Sequence, residues 1–532
     1  MIFAALTALL ALGGCTADEP AGTTPPRDTA TVAFGVDITG INELIQPPAA
    51  INTAISHFAL FLPLAEEQAD YQDGPPTFLP RLAESWTAAE DRLSITFTLR
   101  DDVFWSDGVK TTAEDVRFTW EAQTHADVAW PFAATKSRIR DVEVVDPRTV
   151  IFHFTEIYPL QLFEAVQGVV LPKHAWSEIP FEQWREKADW FNDNPVTNGP
   201  FTFESWQPQQ RFILERYDRY FEPDLPKLER VIFEIVPDTS QQLSLLRAGR
   251  ADFIELVPYA DAKAMDERPD VYLTSYIPRN YFFIGWNLQR GFFGDVAVRQ
   301  ALTLGIDRQA LIDSLFYGYG KTSFGPIPSD VWAHHDGLEP WPYDPEKARQ
   351  MLADSGFADA DGDGILERGG EPLRFELITN SDNTLRRDIM VMVQSQLRQI
   401  GVDVETRTME FNALIAPLSA YDFDAVVMGL SIGTDLDLSY NFHTRGTPAN
   451  GGLNWGRFSD PRTDELIDAV NAEGAALSTK PLLYELQERL HEQQPLTFLY
   501  EGERISGVRK PLAGISPNST STFANLRHWY FE

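Results

Sequence analysis

Two hydrophobic rhythms alternate along the chain. Residues 94–100 put Ile95, Phe97 and Leu99 on one face and Ser94, Thr96 and Thr98 on the other, the period of a half-buried strand. Asp101-Asp102 turns the chain, and Val103-Phe104-Trp105 is expected to return as the partner strand. After a second turn at Ser106-Asp107-Gly108, Thr111-x-x-Glu114 reads as a capping box opening a helix, with Ala113, Val116 and Trp120 at helical spacing. Strands are expected at 31–36, at 142–145 paired with 149–154 across Asp146-Pro147, and at 202–206. A helix is expected at 52–62. A strand at 231–236, a helix at 239–248 and a strand at 252–254 predict an α/β unit with a right-handed crossover.

The second half repeats the alternation. A strand is read at 281–287, and helices open at Asp295, Asp307, Asp344-Pro345 and Asp460-Pro461, where Asp caps and Pro suits the first turn. A helix at 387–400 ends before Gly401 and the strand 402–407. Further strands are expected at 373–378 and 423–427, a helix at 484–492, and the last long strand at 497–501.

At 532 residues the chain exceeds what one core supports, so two or three domains are expected. The formal charge of −34 repels phosphate backbones, which argues against nucleic acid and gives no polybasic patch for anionic lipid. The lone Cys15 excludes an internal disulfide. It follows the apolar run 2–14, which is too short to span a bilayer but suits the h-region of a secretory signal. Leu12-Gly13-Gly14-Cys15 resembles a bacterial lipobox, in which the chain is cut before the cysteine and the thiol is lipidated; the alternative is a chance buried cysteine. No Lys or Arg precedes Arg27, so the usual basic n-region is missing. Residues 15–30 read as a flexible polar tether.

Several strings together resemble one family. They are Leu82-Ala83-Glu84-Ser85-Trp86, the strand ending Phe97-Thr98-Leu99-Arg100, Trp105-Ser106-Asp107-Gly108 and Thr112-Ala113-Glu114-Asp115-Val116. Asn198-Gly199-Pro200-Phe201, the run 298–313 and Asn525 to Trp529 add to them. The chain from about residue 30 onward is similar to the extracytoplasmic solute-binding proteins of ABC importers for peptides, nickel and related solutes. The resemblance implies an α/β fold of the two-lobed periplasmic-binding-protein type, the type II, large three-domain variant with a hinged ligand cleft. It implies a discontinuous lobe 1 (31–65, 195–277 and 498–532), an inserted domain (66–194) and a lobe 2 (278–497). Two crossings between the lobes would serve as a hinge.

The resemblance also names candidate ligand contacts. The segment 429–443 follows an expected buried strand, and strand carboxyl ends are where α/β sheets bind ligands. Asp435 matches the family aspartate that meets a peptide ammonium, although Leu430 and Leu436 replace its usual Trp and Pro. Asn454 and Trp455 resemble a second cleft loop. Tyr281, Trp286 and Asn287 lie on the strand leaving the hinge, with Trp286 open to a core reading.

Asp359-x-Asp361-x-Asp363-Gly364 has the spacing of half a calcium loop. Position twelve is Gly370, so Glu367 would have to substitute, and a solvated acidic turn is the competing reading. No other cofactor is expected. His334-His335 lacks ligand spacing, and a secreted hydrolase is the alternative of another class. The expected protein is a non-enzymatic, monomeric lipoprotein outside the cytoplasmic membrane, held to it by its lipid alone. It would pass a solute, an oligopeptide before an oligosaccharide, opine or metal chelate, to an ABC permease.

Overall fold

A computed structural model describes residues 28–46, 50–69 and 71–532. Cys15, the expected signal 1–14 and most of the tether lie outside the described residues. Thr29 and Ala30, expected in the tether, already pair with Arg230 and Val231.

Three sheets carry the architecture. The first has seven strands in the order Val271–Tyr276, Arg504–Arg509, Phe253–Ile254, Thr29–Phe34, Arg230–Ile235, Arg211–Arg216 and Phe201–Gln207. Thr29–Phe34 runs parallel to both neighbours, as the strand–helix–strand unit requires. Ala30, Val32 and Phe34 point into a core shared with Phe212, Phe233 and Trp529. The second sheet has five strands, Asp403–Met409, Arg374–Asn380, Ala425–Ser431, Asn280–Trp286 and Leu496–Phe498, of which the first three are parallel. Helices pack on both faces of its middle strands, so Ala425–Ser431 begins as a continuous buried apolar run, whereas the edge strand Asp403–Met409 is mostly exposed. Along Asn280–Trp286, Tyr281 and Phe283 enter one core while Ile284 and Trp286 enter the other. The third sheet, with Ala83–Ala88, Ser94–Leu99, Thr149–Phe154 and Ile139–Asp146, packs beside the first. A glycine is required at that join, because a Cβ on Gly199 would sit 2.6 Å from the Ala59 carbonyl oxygen.

The bodies built on the first and second sheets are the first and second lobes. The chain passes from one to the other at residues 277–279 and returns at 499–503.

Several local expectations are corrected. The partners of Ser94–Leu99 are Ala83–Ala88 and Thr149–Phe154, not 103–105, because Val103 and Trp105 are buried and Phe104 makes a lone bridge to Lys110. The capping box is shifted by one residue: Thr112 is the cap, and its N–H donates to the Asp115 carboxylate at 2.8 Å. The expected helix 52–62 is the short helix Ala50–Ile55, which widens into a π turn over Ser56–Leu60. The expected strand 497–501 breaks at Leu499 into two three-residue pieces in different sheets, and Arg504–Arg509 is the longer last strand.

Candidate functional site

The carboxyl ends of parallel strands are where such sheets hold ligands. On the first lobe, the ends of Thr29–Phe34 and Phe253–Ile254 open into a cavity of about 520 Å³. Phe34, Val36 and Phe58 form its apolar wall, and Glu255, Tyr276 and Arg504 its polar wall. The Thr522 hydroxyl donates to Glu255 at 3.1 Å, which fixes that carboxylate. Smaller cavities of about 150 and 180 Å³ adjoin it through His57. A fourth, of about 350 Å³, lies at the two crossings, between Tyr71, Tyr276, Asp330 and Glu503.

The lobes touch across this space. Arg279, the last residue of the first crossing, lies 3.6 Å from Glu67 and stacks over the Tyr71 ring at 4.7 Å. The Tyr71 hydroxyl bonds Glu67 at 2.8 Å and Thr520 at 2.7 Å, while its carbonyl accepts from the Trp332 N–H at 2.5 Å. Farther out, Gly474 meets Pro159 so closely that an added Cβ would lie 2.2 Å from it.

Asp435 stands just past the strand Ala425–Ser431, before Leu436 at φ 54°. It is half-buried, accepts from the Asp437 N–H at 3.3 Å, and has no ion-pair partner among the described residues. Burial pushes its carboxyl above the usual range, against the Asp437 N–H bond and the Arg279 charge, while the Asp437 carboxylate adds to the rise. Its charge also reaches Glu164 of the third-sheet region, itself pushed up by burial. A carboxylate in a partly desolvated, acidic surround is poised to receive a cation.

The other five candidate residues are buried in the interior of the second lobe, Trp286 as its core reading expects. Trp286 is fully buried between Phe293 and Phe375, at 5.1 and 5.7 Å, and its indole N–H donates to Thr497. Asn287 donates to the Tyr421 and Phe423 carbonyls at 3.0 and 2.9 Å. Asn454 staples its loop, donating to His443 and Phe458 carbonyls and accepting from the Phe458 N–H. Tyr281 and Trp455 do meet, but around a separate void of about 20 Å³, room for one water. The Tyr281 hydroxyl is held by the Asn441 amide at 2.5 Å.

Sequence reasoning missed Tyr71, Arg279, Asp330 and His57. Only Arg279 carried a signal, a cation after Pro278 where the chain enters a new strand. Asp330 is pushed up to about 6, chiefly by burial, and its Oδ1 is buried without a hydrogen-bond partner.

The acidic loop lies in the second lobe. Asp359, Asp361 and Asp363 are exposed and place one oxygen each within 4.8 Å of the others. They also cap their own turn: Asp359 accepts from the Gly362 and Gly364 N–H groups and Asp363 from that of Ile365. Glu367 falls outside this cluster because it enters the short strand Glu367–Arg368.

Residues 77–452 match the family model of bacterial extracellular solute-binding proteins, family 5 Middle, and the chain belongs to that family. The oligopeptide-binding protein AppA of Bacillus subtilis is 30% identical over 455 residues, which cover 84% of this chain and 83% of AppA. The structure of AppA with a nonapeptide matches at a TM-score of 0.73 and 28% identity, over 95% of this chain and 100% of that one. NikZ of Campylobacter jejuni, solved with Ni(L-His), matches at a TM-score of 0.74 and 25% identity over the same shares. The chain is therefore an ABC-transporter solute-binding protein of a non-enzymatic family, extracellular or periplasmic, with the two-lobed α/β fold of its relatives. No described helix is long and apolar enough to cross a membrane.

Proposed function

We propose that this member of family 5 captures oligopeptides, with the ligand ammonium at Asp435. The supporting observation is that half-buried carboxylate, which has no ion-pair partner among the described residues and whose charge reaches buried Glu164. An anionic opine or heme propionate would meet repulsion there, whereas an ammonium offsets it. The similarity to an oligopeptide-binding relative agrees with this reading.

Closure about residues 277–279 and 499–503 would enclose the peptide, which then stabilises the closed form because it touches both lobes. A monomer of three domains, with the third sheet as the inserted one, would deliver it to a permease. Cys15 would carry the lipid that keeps the protein at the membrane surface. The acidic loop would hold a structural calcium, away from the peptide.

The test is the affinity of an unmodified peptide and its N-acetylated form for wild type and Asp435→Asn. Enclosing an unpaired charge costs about 2–5 kcal/mol, so the substitution and the acetylation should each weaken binding by roughly 2–4 kcal/mol and not add. Equal affinity of mutant and wild type for the free peptide would overturn the assignment.

A further inference from the structure

His57 is the one residue that lines three of the four cavities of the cleft described above. It sits in the π turn Ser56–Leu60, where the Phe61 N–H reaches back five residues to the Ser56 carbonyl. Such local widening re-aims a side chain and is frequent at functional sites. Its Nε2 is 2.8 Å from Glu43, whose side chain is only 8% exposed and also accepts from the Val169 N–H. Burial opposes both charges, yet the pair prevails: Glu43 is held below its ordinary value and His57 above its own. Nδ1 has no hydrogen-bond partner among the described residues.

We propose that His57 contacts the solute, its Nδ1–H donating to an oxygen of the ligand while Nε2–H is held by Glu43. The proposal rests on the reading that a peptide fills these cavities. The chemistry follows from the ring's two nitrogens. Ionised Glu43 can only accept, so it keeps a proton on Nε2 in every state of the ring. Nδ1 therefore carries a proton only in the imidazolium. In the neutral ring it presents a lone pair instead, and a ligand carbonyl or carboxylate oxygen is then repelled. The site reads acceptor oxygens below the His57 pKa and loses them above it. The other charged groups facing the ring's cavities are Glu66, Glu67, Glu255 and Arg504, and Lys136 lies behind Glu43.

The experiment titrates the binding of tetra-alanine to wild type, His57→Gln and Glu43→Gln between pH 5.5 and 8.5. Wild type should lose ~10-fold more affinity across that range than His57→Gln, the scale of a hydrogen bond to a charged group. Glu43→Gln should move the loss to lower pH, which a merely structural histidine would not do. Identical profiles for wild type and His57→Gln overturn the proposal. An affinity for a nickel–histidine complex that rises with pH in wild type, and not in His57→Gln, also overturns it, in favour of a metal-ligating neutral ring. Failure of tetra-alanine while the nickel complex binds with the predicted falling profile overturns only the peptide reading. Failure of both probes overturns both.

Discussion

The second lobe has two ends, and they are built on opposite rules. At the far end of the strand Asn280–Trp286, every candidate polar group is answered: Asn287 by two carbonyls, the Trp286 indole by Thr497, Asn454 by three backbone groups. At the cleft end, among the described residues, Asp435 has no ion pair and Asp330 keeps an unpartnered oxygen. The first end holds the lobe together. The second is left unfinished, and leaving polar groups unfinished costs stability that a solute can recover.

Substitutions at the two ends should therefore separate stability from binding. The largest effect is expected from Trp286→Ala, a loss of about 3–5 kcal/mol in chemical denaturation, since it empties a packed site. The folded fraction should still bind peptide with unchanged affinity. Asp435→Asn should do the reverse, costing the roughly 2–4 kcal/mol of binding argued above while its denaturation midpoint does not fall.

Asp330→Asn should raise the stability of the ligand-free protein at neutral pH by roughly 1–2 kcal/mol, discounted for partial exposure. The sign follows from its raised carboxyl. The folded state binds the proton more tightly, so wild type loses stability as pH rises from about 4 through about 6. Below about 4 both states are protonated and the difference vanishes. Parallel pH–stability curves for wild type and mutant would erase the contrast between the two ends. The smallest effect concerns the acidic loop, outside both ends. Millimolar calcium should stabilise wild type by roughly 1 kcal/mol and leave Asp361→Ala unmoved, with peptide affinity the same.

Sequence rhythm located most strands and every Asp-capped helix start that was read, because those signals are local. The Asp295, Asp307, Asp344 and Asp460 side chains all accept from the first turns they open. Errors arose where tertiary packing decides. Val103 and Trp105 look like a strand but are spent on a core, and Thr111 and Thr112 are equal as caps until Asp115 is seen to reach back. In the site, Asp435 was singled out by its match to a family motif after an expected buried strand. Trp286 and Trp455 drew attention as aromatic residues near motifs, yet both faces of their sheet are covered, so aromatic side chains there are packing. His57 was illegible for the converse reason: it interrupts an apolar helix and reads as interior until Glu43, 14 residues away in sequence, is placed 2.8 Å from it.

The place of Arg504–Arg509 in the first sheet governs the order of assembly. This strand lies between Val271–Tyr276 and Phe253–Ile254, which do not pair with each other. Until the final thirty or so residues have left the ribosome, both of those strands keep an open edge, and the Trp529 ring is absent from the core under Phe253. Pairing at such sequence separation is slow, because loop closure must precede any contact that rewards it. A nascent chain would thus stay incomplete in its first lobe until residues 504–532 have emerged. A chain ending at residue 503 should remain protease-sensitive across residues 253–276, and adding a peptide of residues 504–532 should restore protection.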